Sequence, residues 1–290
     1  MINLRRVGLV ANPEKAVCRA AVQQAAAAIA ASGRQVWADA DTIRLGAVAA
    51  VECPDAAALA RQTDLVLVFG GDGTMLRVAR AVAGLPTPIL GINVGGLGFL
   101  TAVPLPQLDA ALQQTWAGAY TLEERPLIEA SGLAHGQSLD QVALNDFVVS
   151  RGITSRMIRL EVRVDGRVLT HYRCDGLIVS SPTGSTAYSL AAGGAIVLPT
   201  ADVFALTPIC PHALSNRSII LPLSATICVK AVHTVASAFL NADGQIVGEL
   251  DDGDEVTIRR SQSTVRLVHL KDSSFLEALR RKLHWRGTYF

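Results

Sequence analysis

Aromatic residues make up only 5% of this 290-residue sequence, and charge of neither sign dominates: 26 Lys and Arg against 25 Asp and Glu leave +1. That balance argues against a global field that would attract nucleic acid or an anionic membrane. The five cysteines, Cys18, Cys53, Cys174, Cys210 and Cys228, are odd in number and never form Cys-x-x-Cys. A disulfide framework and a structural zinc site are therefore not expected. Six histidines, at positions 135, 171, 212, 233, 269 and 284, show no metal-ligand spacing, so no residue is assigned to a metal. Apolar runs stay well short of a bilayer span, and the one in "MINLRRVGLVANP" is too short for a signal peptide. The chain is expected to work in a reducing cytoplasm, without nucleic acid or membrane as a partner.

What is present is aliphatic. Half of the residues are hydrophobic, mostly Ala, Val, Leu and Ile, enough for about two domains and a substantial core. In the first 120 residues strand-like and helix-like segments alternate. "RRVGLVANP" precedes the Ala-rich "EKAVCRAAVQQAAAAIAASG", which ends at Gly33 as a helix ends at a left-handed residue. "QVWAD", "DLVLVFGG" and "PILGINVGG" are unbroken apolar runs, the pattern of parallel strands covered on both faces. "TMLRVARAVAG" and "LPQLDAALQQTWAG" read as helices. The order predicts an α/β domain over 1–120, a parallel sheet with helices.

From residue 121 the period shifts to two. In "MIRLEVRVDGRVLTHYR", Ile158, Leu160, Val162 and Val164 alternate with Arg159, Glu161 and Arg163, and Asp165-Gly166 is a favoured hairpin turn. "SIILPLSATICVKAV", "QIVGEL" and "EVTIRRS" are further strand candidates, divided by "NADG" and "DDGD". A β-rich domain is expected over 121–264. The segment 265–290 returns to helical spacing in "SSFLEALRRKLHW", with Phe275, Leu276, Leu279 and Leu283 along one side, and is expected to pack back on the first domain.

Within "LVLVFGGDGTMLRVARAV" a buried strand meets a helix through Gly70, Gly71, Asp72, Gly73 and Thr74. A strand end, a glycine turn and a helix N-terminus make an anion site, because outward N–H groups and the helix dipole favour negative charge. The glycines let phosphate oxygens approach the backbone. An acidic residue is the wrong neighbour for a phosphate, so Asp72 binds a metal, takes a proton or caps the helix. The stretch is not a Walker A loop, and Leu76 breaks Gly-x-Gly-x-x-Gly. A second glycine loop, "GINVGGLGFL", follows the next strand, and two such loops at adjacent strand ends would line the crevice where α/β sheets bind ligands. The third cluster, "CDGLIVSSPTGSTAYSLAAGG", offers the hydroxyls of Ser180, Ser181, Thr183, Ser185, Thr186 and Ser189 and the ring of Tyr188 to a ribose, an amide or phosphates. Either cluster also fits plain turns and surface connections.

"GGDGT", then "LNDFVVSR" at 144–151, then "DGLIVSSPTGSTAY" occur in one order along one chain. Together they resemble the ATP-dependent NAD kinases of bacterial type, and the likeness extends through "LGINVGGLGFLT", "EERPLIEA", "DDGDEVTIRRS" and "FLEALRRKLHW". The resemblance implies an α/β nucleotide-binding domain, a β-rich NAD-binding domain and a C-terminal segment returning to the first. It also implies transfer of a phosphoryl group from ATP, with a divalent cation, Mg²⁺ first among them, to the 2′-hydroxyl of the adenosine ribose of NAD. Family members assemble as homodimers or homotetramers.

By position, the resemblance makes Asp72 the proton acceptor facing the ribose, with Gly73 beside it. Asn145 and Asp146 match the pair that holds adenosine. Asp175, Thr186, Ala187 and Tyr188, continuing into Ser189, Leu190 and Ala191, match dinucleotide contacts. Arg156, Arg173 and Gln245 match substrate contacts, and Phe99 a residue packed near a base. Gly70, Gly71, Gly73, Thr74 and Arg77 form the candidate loop for the ATP phosphates. Ala191, Ala195, Cys174 and Gly96 depart from residues common in the family. "GGDGT" alone also resembles lipid kinases of the diacylglycerol kinase type, and a dinucleotide-binding regulator without chemistry is a third reading. The first would need a route for an acyl chain, and the second would be expected to lack Asp72.

Overall fold

The apolar run Leu65–Gly70 is buried at all six positions, as a parallel strand covered on both faces must be. It belongs to the first of two compact units, residues 1–124 with 264–290; residues 125–263 form the second. The structure, a computed structural model, describes residues 4–96, 98–101, 103–152, 156–213, 215–233, 237–271 and 274–285, so Leu97 of the second glycine loop lies outside the described residues.

In the first unit strands and helices alternate. The order is β1 (Arg6–Ala11), α1 (Val17–Ala31), β2 (Gln35–Asp39), α2 (Ala40–Gly46), β3 (Val51–Cys53), α3 (Ala56–Gln62), β4 (Leu65–Gly70), α4 (Asp72–Ala81) and β5 (Ile89–Asn93). A short β6 (Val103–Pro104) and α5 (Leu108–Trp116) follow. The sheet runs β3-β2-β1-β4-β5, and each neighbouring pair is parallel. The chain winds outward from β1 to β3, then crosses back to lay β4 on the other side of β1. That reversal of strand order, at the carboxyl ends of the strands, is where open parallel sheets generally bind ligands.

α1 forms because alanine loses no side-chain freedom in a helix. Its face Cys18, Val22, Ala25 and Ile29 packs with Leu9, Leu67, Phe69 and Leu90. The helix ends at Ser32, and Gly33 takes the left-handed φ of 75° that terminates it. The two short helices start at aspartates. Asp39 accepts the Thr42 N–H at 2.8 Å and Asp55 the Ala58 N–H at 2.7 Å.

The second unit is built of strands. These are β7 (Tyr120–Ala134), β8 (Gln137–Ala143), β9 (Asp146–Arg151), β10 (Ile158–Val164), β11 (Arg167–Cys174) and β12 (Gly176–Ser180). After the helical turn α6 (Tyr188–Ala191) come β13 (Val203–Ile209), β14 (Ile219–Pro222), β15 (Ile227–Ala231), β16 (Ala238–Ala242), β17 (Gln245–Leu250) and β18 (Glu255–Leu270); residues 120–124 of β7 and 264–270 of β18 belong to the first unit. β14-β13-β12-β9-β16-β17 form one antiparallel sheet, and β11-β10-β15-β18 run antiparallel in another. Phe147, Leu177, Phe204 and Leu240 from the first join Leu160, Val229 and Val256 from the second in one core. Asp165 and Gly166 both have positive φ, 50° and 76°, the requirement of the tight turn joining β10 to β11.

Two details differ from the sequence reading. The run 218–232 is two strands, because Pro222 has no N–H to continue a ladder and the chain turns there. β14 pairs with β13, while β15 pairs with β10 and β18 in the other sheet. In the last helix, α7 (Phe275–Lys282), Leu279 is buried but Leu276 is 58% exposed. One residue on from Phe275 is about 100° around the helix, away from the packed side. Phe275 itself stacks at 6.0 Å on Phe99 of the second glycine loop, so the C-terminal helix does return to the first unit. Among the described residues no helix is long and apolar enough to cross a membrane. All five cysteines are free thiols.

Candidate active site

The two glycine loops of the first unit leave neighbouring parallel strands, since Gly70 at the end of β4 sits opposite Asn93 at the end of β5. Asn93 fixes the second loop. Its amide donates to the Gly96 carbonyl at 2.9 Å, and its oxygen accepts the Gly95 N–H at 2.8 Å. Gly70 leaves room for Thr74, whose side chain a Cβ there would overlap. Gly71 is the N-cap of α4 and Asp72 its first helical residue. The capping reading of Asp72 therefore falls, because the cap position belongs to the glycine before it.

The Asp72 carboxylate reaches across to the other loop instead. Oδ2 accepts the Phe99 N–H at 2.9 Å, and Oδ1 accepts those of Leu100 at 3.1 Å and Thr101 at 3.3 Å. Lys282 of α7 brings its ammonium to 3.8 Å from Oδ2 and lies 4.3 Å above the Phe99 ring. Gly98 makes this possible, since a Cβ there would overlap Oδ1. A carboxylate has about four lone-pair directions. Its contacts leave capacity on Oδ2, and the side chain is 29% exposed. Asp72 is thus tethered and still able to accept a proton from a ligand. Arg77 is exposed on α4, and Phe99 is half-buried. Arg281, beside Lys282, lines a cavity of about 370 Å³ with Asn93, Gly95, Pro104 and Pro106.

In the second unit three segments meet at the start of β9. Asp243, in the turn between β16 and β17, accepts the N–H groups of Leu144 at 3.1 Å, Asn145 at 2.7 Å and Asp146 at 3.3 Å. The 180–186 loop packs behind them, where the Ser181 N–H donates to the Asn145 carbonyl at 2.8 Å. Gly184 lies so close to that carbonyl that a Cβ would overlap it. Asn145 is 8% and Asp146 4% exposed. Burial, and then the neighbouring Asp243 carboxylate, push the Asp146 carboxyl up to about 7 from 3.8. Gln245 follows two residues after Asp243 and is exposed.

The remaining candidates gather elsewhere. Asp175 pairs with Arg151 at 2.9 Å, at the far end of β9 from Asp146. Six residues of strand hold the two aspartates roughly 17 Å apart. The register Ile158 opposite Cys174 brings Arg156 towards the Asp175 end, and Arg173 is exposed there too. One site therefore does not collect all the candidates of this unit; β9 separates them into two groups.

Most of the hydroxyls expected to meet a ligand are spent on the loop itself. Ser181 donates to the Leu144 carbonyl at 2.5 Å and Ser185 to that of Pro182 at 2.8 Å. Ser189 is fully buried and bonds Thr207 at 3.0 Å. Thr186, Ala187 and Leu190 are half-buried, while Tyr188 and Ala191 are exposed. Sequence reasoning gave no part to Asp243, Arg151 or Lys282. Only "NADG" carried a signal, and it signalled a turn.

Residues 7–120 match the model of the ATP-NAD kinase N-terminal domain and residues 144–270 that of the ATP-NAD kinase C-terminal domain. The NAD kinase of Moorella thermoacetica is 42% identical over 288 residues, 98% of this chain and 91% of its own length. That of Polaromonas naphthalenivorans is 39% identical over 282 residues, 97% of each chain. The crystal structure of yeast NADH kinase complexed with NADH superposes with a TM-score of 0.90 at 26% identity, covering 99% of this chain and 89% of that one. An NAD kinase from Archaeoglobus fulgidus in complex with ATP gives 0.77 at 27% identity, covering 97% and 100%.

Proposed function

The chain belongs to the ATP-NAD kinase family and transfers the terminal phosphoryl group of ATP to the 2′-hydroxyl of the adenosine ribose of NAD, giving NADP; from that premise we propose which residues do the work. Asp72 is the proton acceptor. A ribose hydroxyl is a weak nucleophile until its proton has somewhere to go. As the hydroxyl oxygen bonds to the γ-phosphorus, its proton passes to Asp72 and the bond to ADP breaks. The observation that supports this reading is the tethered carboxylate, the one acid on two glycine loops, with capacity left on Oδ2.

Gly70, Gly71, Gly73, Thr74 and Arg77 receive the triphosphate at the start of α4, where the first-turn N–H groups and dipole favour anions. A divalent cation such as Mg²⁺, arriving with the nucleotide, would supply neutralisation of charge on the transferring group. Asn145 and Asp146 take the adenosine of NAD with Gln245, while Thr186, Ala187 and Tyr188 line the same pocket with Leu190 and Ala191. The structural bond of Ser189 supports a part in shaping that loop. Asp175, with Arg156 and Arg173, serves the nicotinamide end, with its carboxylate held by Arg151. Phe99 packs near a base. Assembly into a homodimer or homotetramer is proposed on family membership alone. The free thiols support a cytoplasmic setting.

Incubation with ATP, Mg²⁺ and NAD, read by an NADP-specific dehydrogenase, will show NADP, and chelation of the metal by EDTA will abolish it. A lipid kinase would leave NAD untouched, and a regulator would bind it without turnover. Gly98→Ala tests the tether. It will keep the circular dichroism spectrum and lower kcat by about 10²-fold, the scale of a 1 Å misplacement at a reacting centre. Unchanged turnover would detach the second loop from catalysis.

A further inference from the structure

The loop after β1 lies at the reversal of strand order between β1 and β4, and that loop carries a lysine. Asn12-Pro13 ends the strand, and the Lys15 N–H turns back to the Asn12 carbonyl at 3.3 Å. The Lys15 side chain is half-buried, whereas Glu14 and Ala16 beside it are exposed. Its ammonium lies over both glycine loops at once. A Cβ built on Gly95 would stand 3.3 Å from Nζ, and one on Gly71 3.8 Å. Among the described residues Lys15 has no carboxylate in ion-pair contact.

A half-buried ammonium without a counter-ion, set over two stretches of backbone that lack side chains, marks a place for an anion. The glycines keep the space beside Nζ clear, and an ammonium is a compact charge with three donors that suits phosphate oxygens. The position agrees with the general placement of ligands at the reversal point of open parallel sheets. We propose that Lys15 binds the triphosphate of ATP and holds the phosphoryl donor there. The inference rests on the reading that the glycine loops take ATP, and it adds a residue from a third loop.

Lys15→Met will raise the KM for ATP roughly 10–100-fold, the scale of one lost charge-assisted bond, and leave the KM for NAD within about twofold. An unchanged KM for ATP in a variant that still makes NADP overturns the role of Lys15 while the kinase reading stands. Failure of the wild-type protein to make NADP overturns the kinase reading itself. A second measurement needs no variant. Acetylation of Lys15 in the wild-type protein, followed by mass spectrometry, will be slowed by Mg-ATP and by inorganic tripolyphosphate in proportion to their occupancy, and not by adenosine. Equal acetylation with and without tripolyphosphate overturns the proposal.

Discussion

Replacing Asp72 by Asn will leave a folded protein whose turnover is roughly 10²–10⁴-fold lower, the scale on which a positioned general base contributes. The amide can accept a hydrogen bond from the ribose hydroxyl but cannot take its proton. Binding survives in this variant, so the loss falls on kcat, and the KM values for ATP and NAD change little. The substitution has a structural cost as well. The Asn carbonyl oxygen can still accept the Leu100 and Thr101 N–H groups, but the NH₂ then faces the Phe99 N–H and the Lys282 ammonium, two donors. An unmet donor of this kind costs about 1–3 kcal/mol, a few degrees of melting temperature. Asp72→Ala removes tether and base together. The pair of variants therefore separates the two jobs. If Asn keeps near-normal turnover and Ala does not, Asp72 only ties the loops together and proton transfer lies elsewhere.

How much of this was legible in the sequence depends on how local each feature is. The parallel sheet could be read because Leu65–Gly70 and its neighbours are unbroken apolar runs, and burial on both faces demands that pattern. Asp165-Gly166 could be read because two consecutive left-handed residues have few sequence solutions. β13 could not, since "VFALTPI" neither alternates nor runs unbroken, and its Pro208 argues against a strand. α2 and α3, seven residues each, are too short for a clear period, though Asp39 and Asp55 cap them. The site divides the same way. Asp72 stands out between glycines, whereas its tether to residues 99–101 is a contact between two loops that no spacing announces. Asp243 looks like an ordinary turn acid because it is one; its grip on Asn145 depends on which strands lie side by side. The serines of 180–189 were ambiguous for the converse reason. A hydroxyl-rich loop reads as a ligand cradle, but a tight loop consumes those hydroxyls to satisfy its own buried carbonyls.

At pH 8, Asp146→Asn will give a protein that melts higher and binds NAD more weakly. The wild-type carboxyl is raised to about 7, first by burial and then by the Asp243 carboxylate, whereas in the unfolded chain it titrates near 3.8. Between those values the folded protein holds a proton that the unfolded chain has released. Stability therefore falls as pH rises from about 4 to 7, the opposite of a salt-bridged aspartate, and the loss is complete above the folded value. Over that interval the ionised form costs at most about 4 kcal/mol. Asn keeps a similar shape without the charge, so its advantage should vanish near pH 4 and be largest at pH 8, a crossing that thermal melts across the range will reveal. The same charge is what a ribose hydroxyl would donate to. Loss of a charge-assisted bond should raise the KM for NAD roughly 10–100-fold in the variant, and in the wild-type protein that KM should drop as pH rises through 7. A variant that is no more stable at pH 8 would mean that Asp146 is not held neutral by its surroundings. A variant with unaltered KM would mean that NAD does not use this carboxylate, and the adenosine would have to be sought at the other end of β9, beside Asp175 and Arg151.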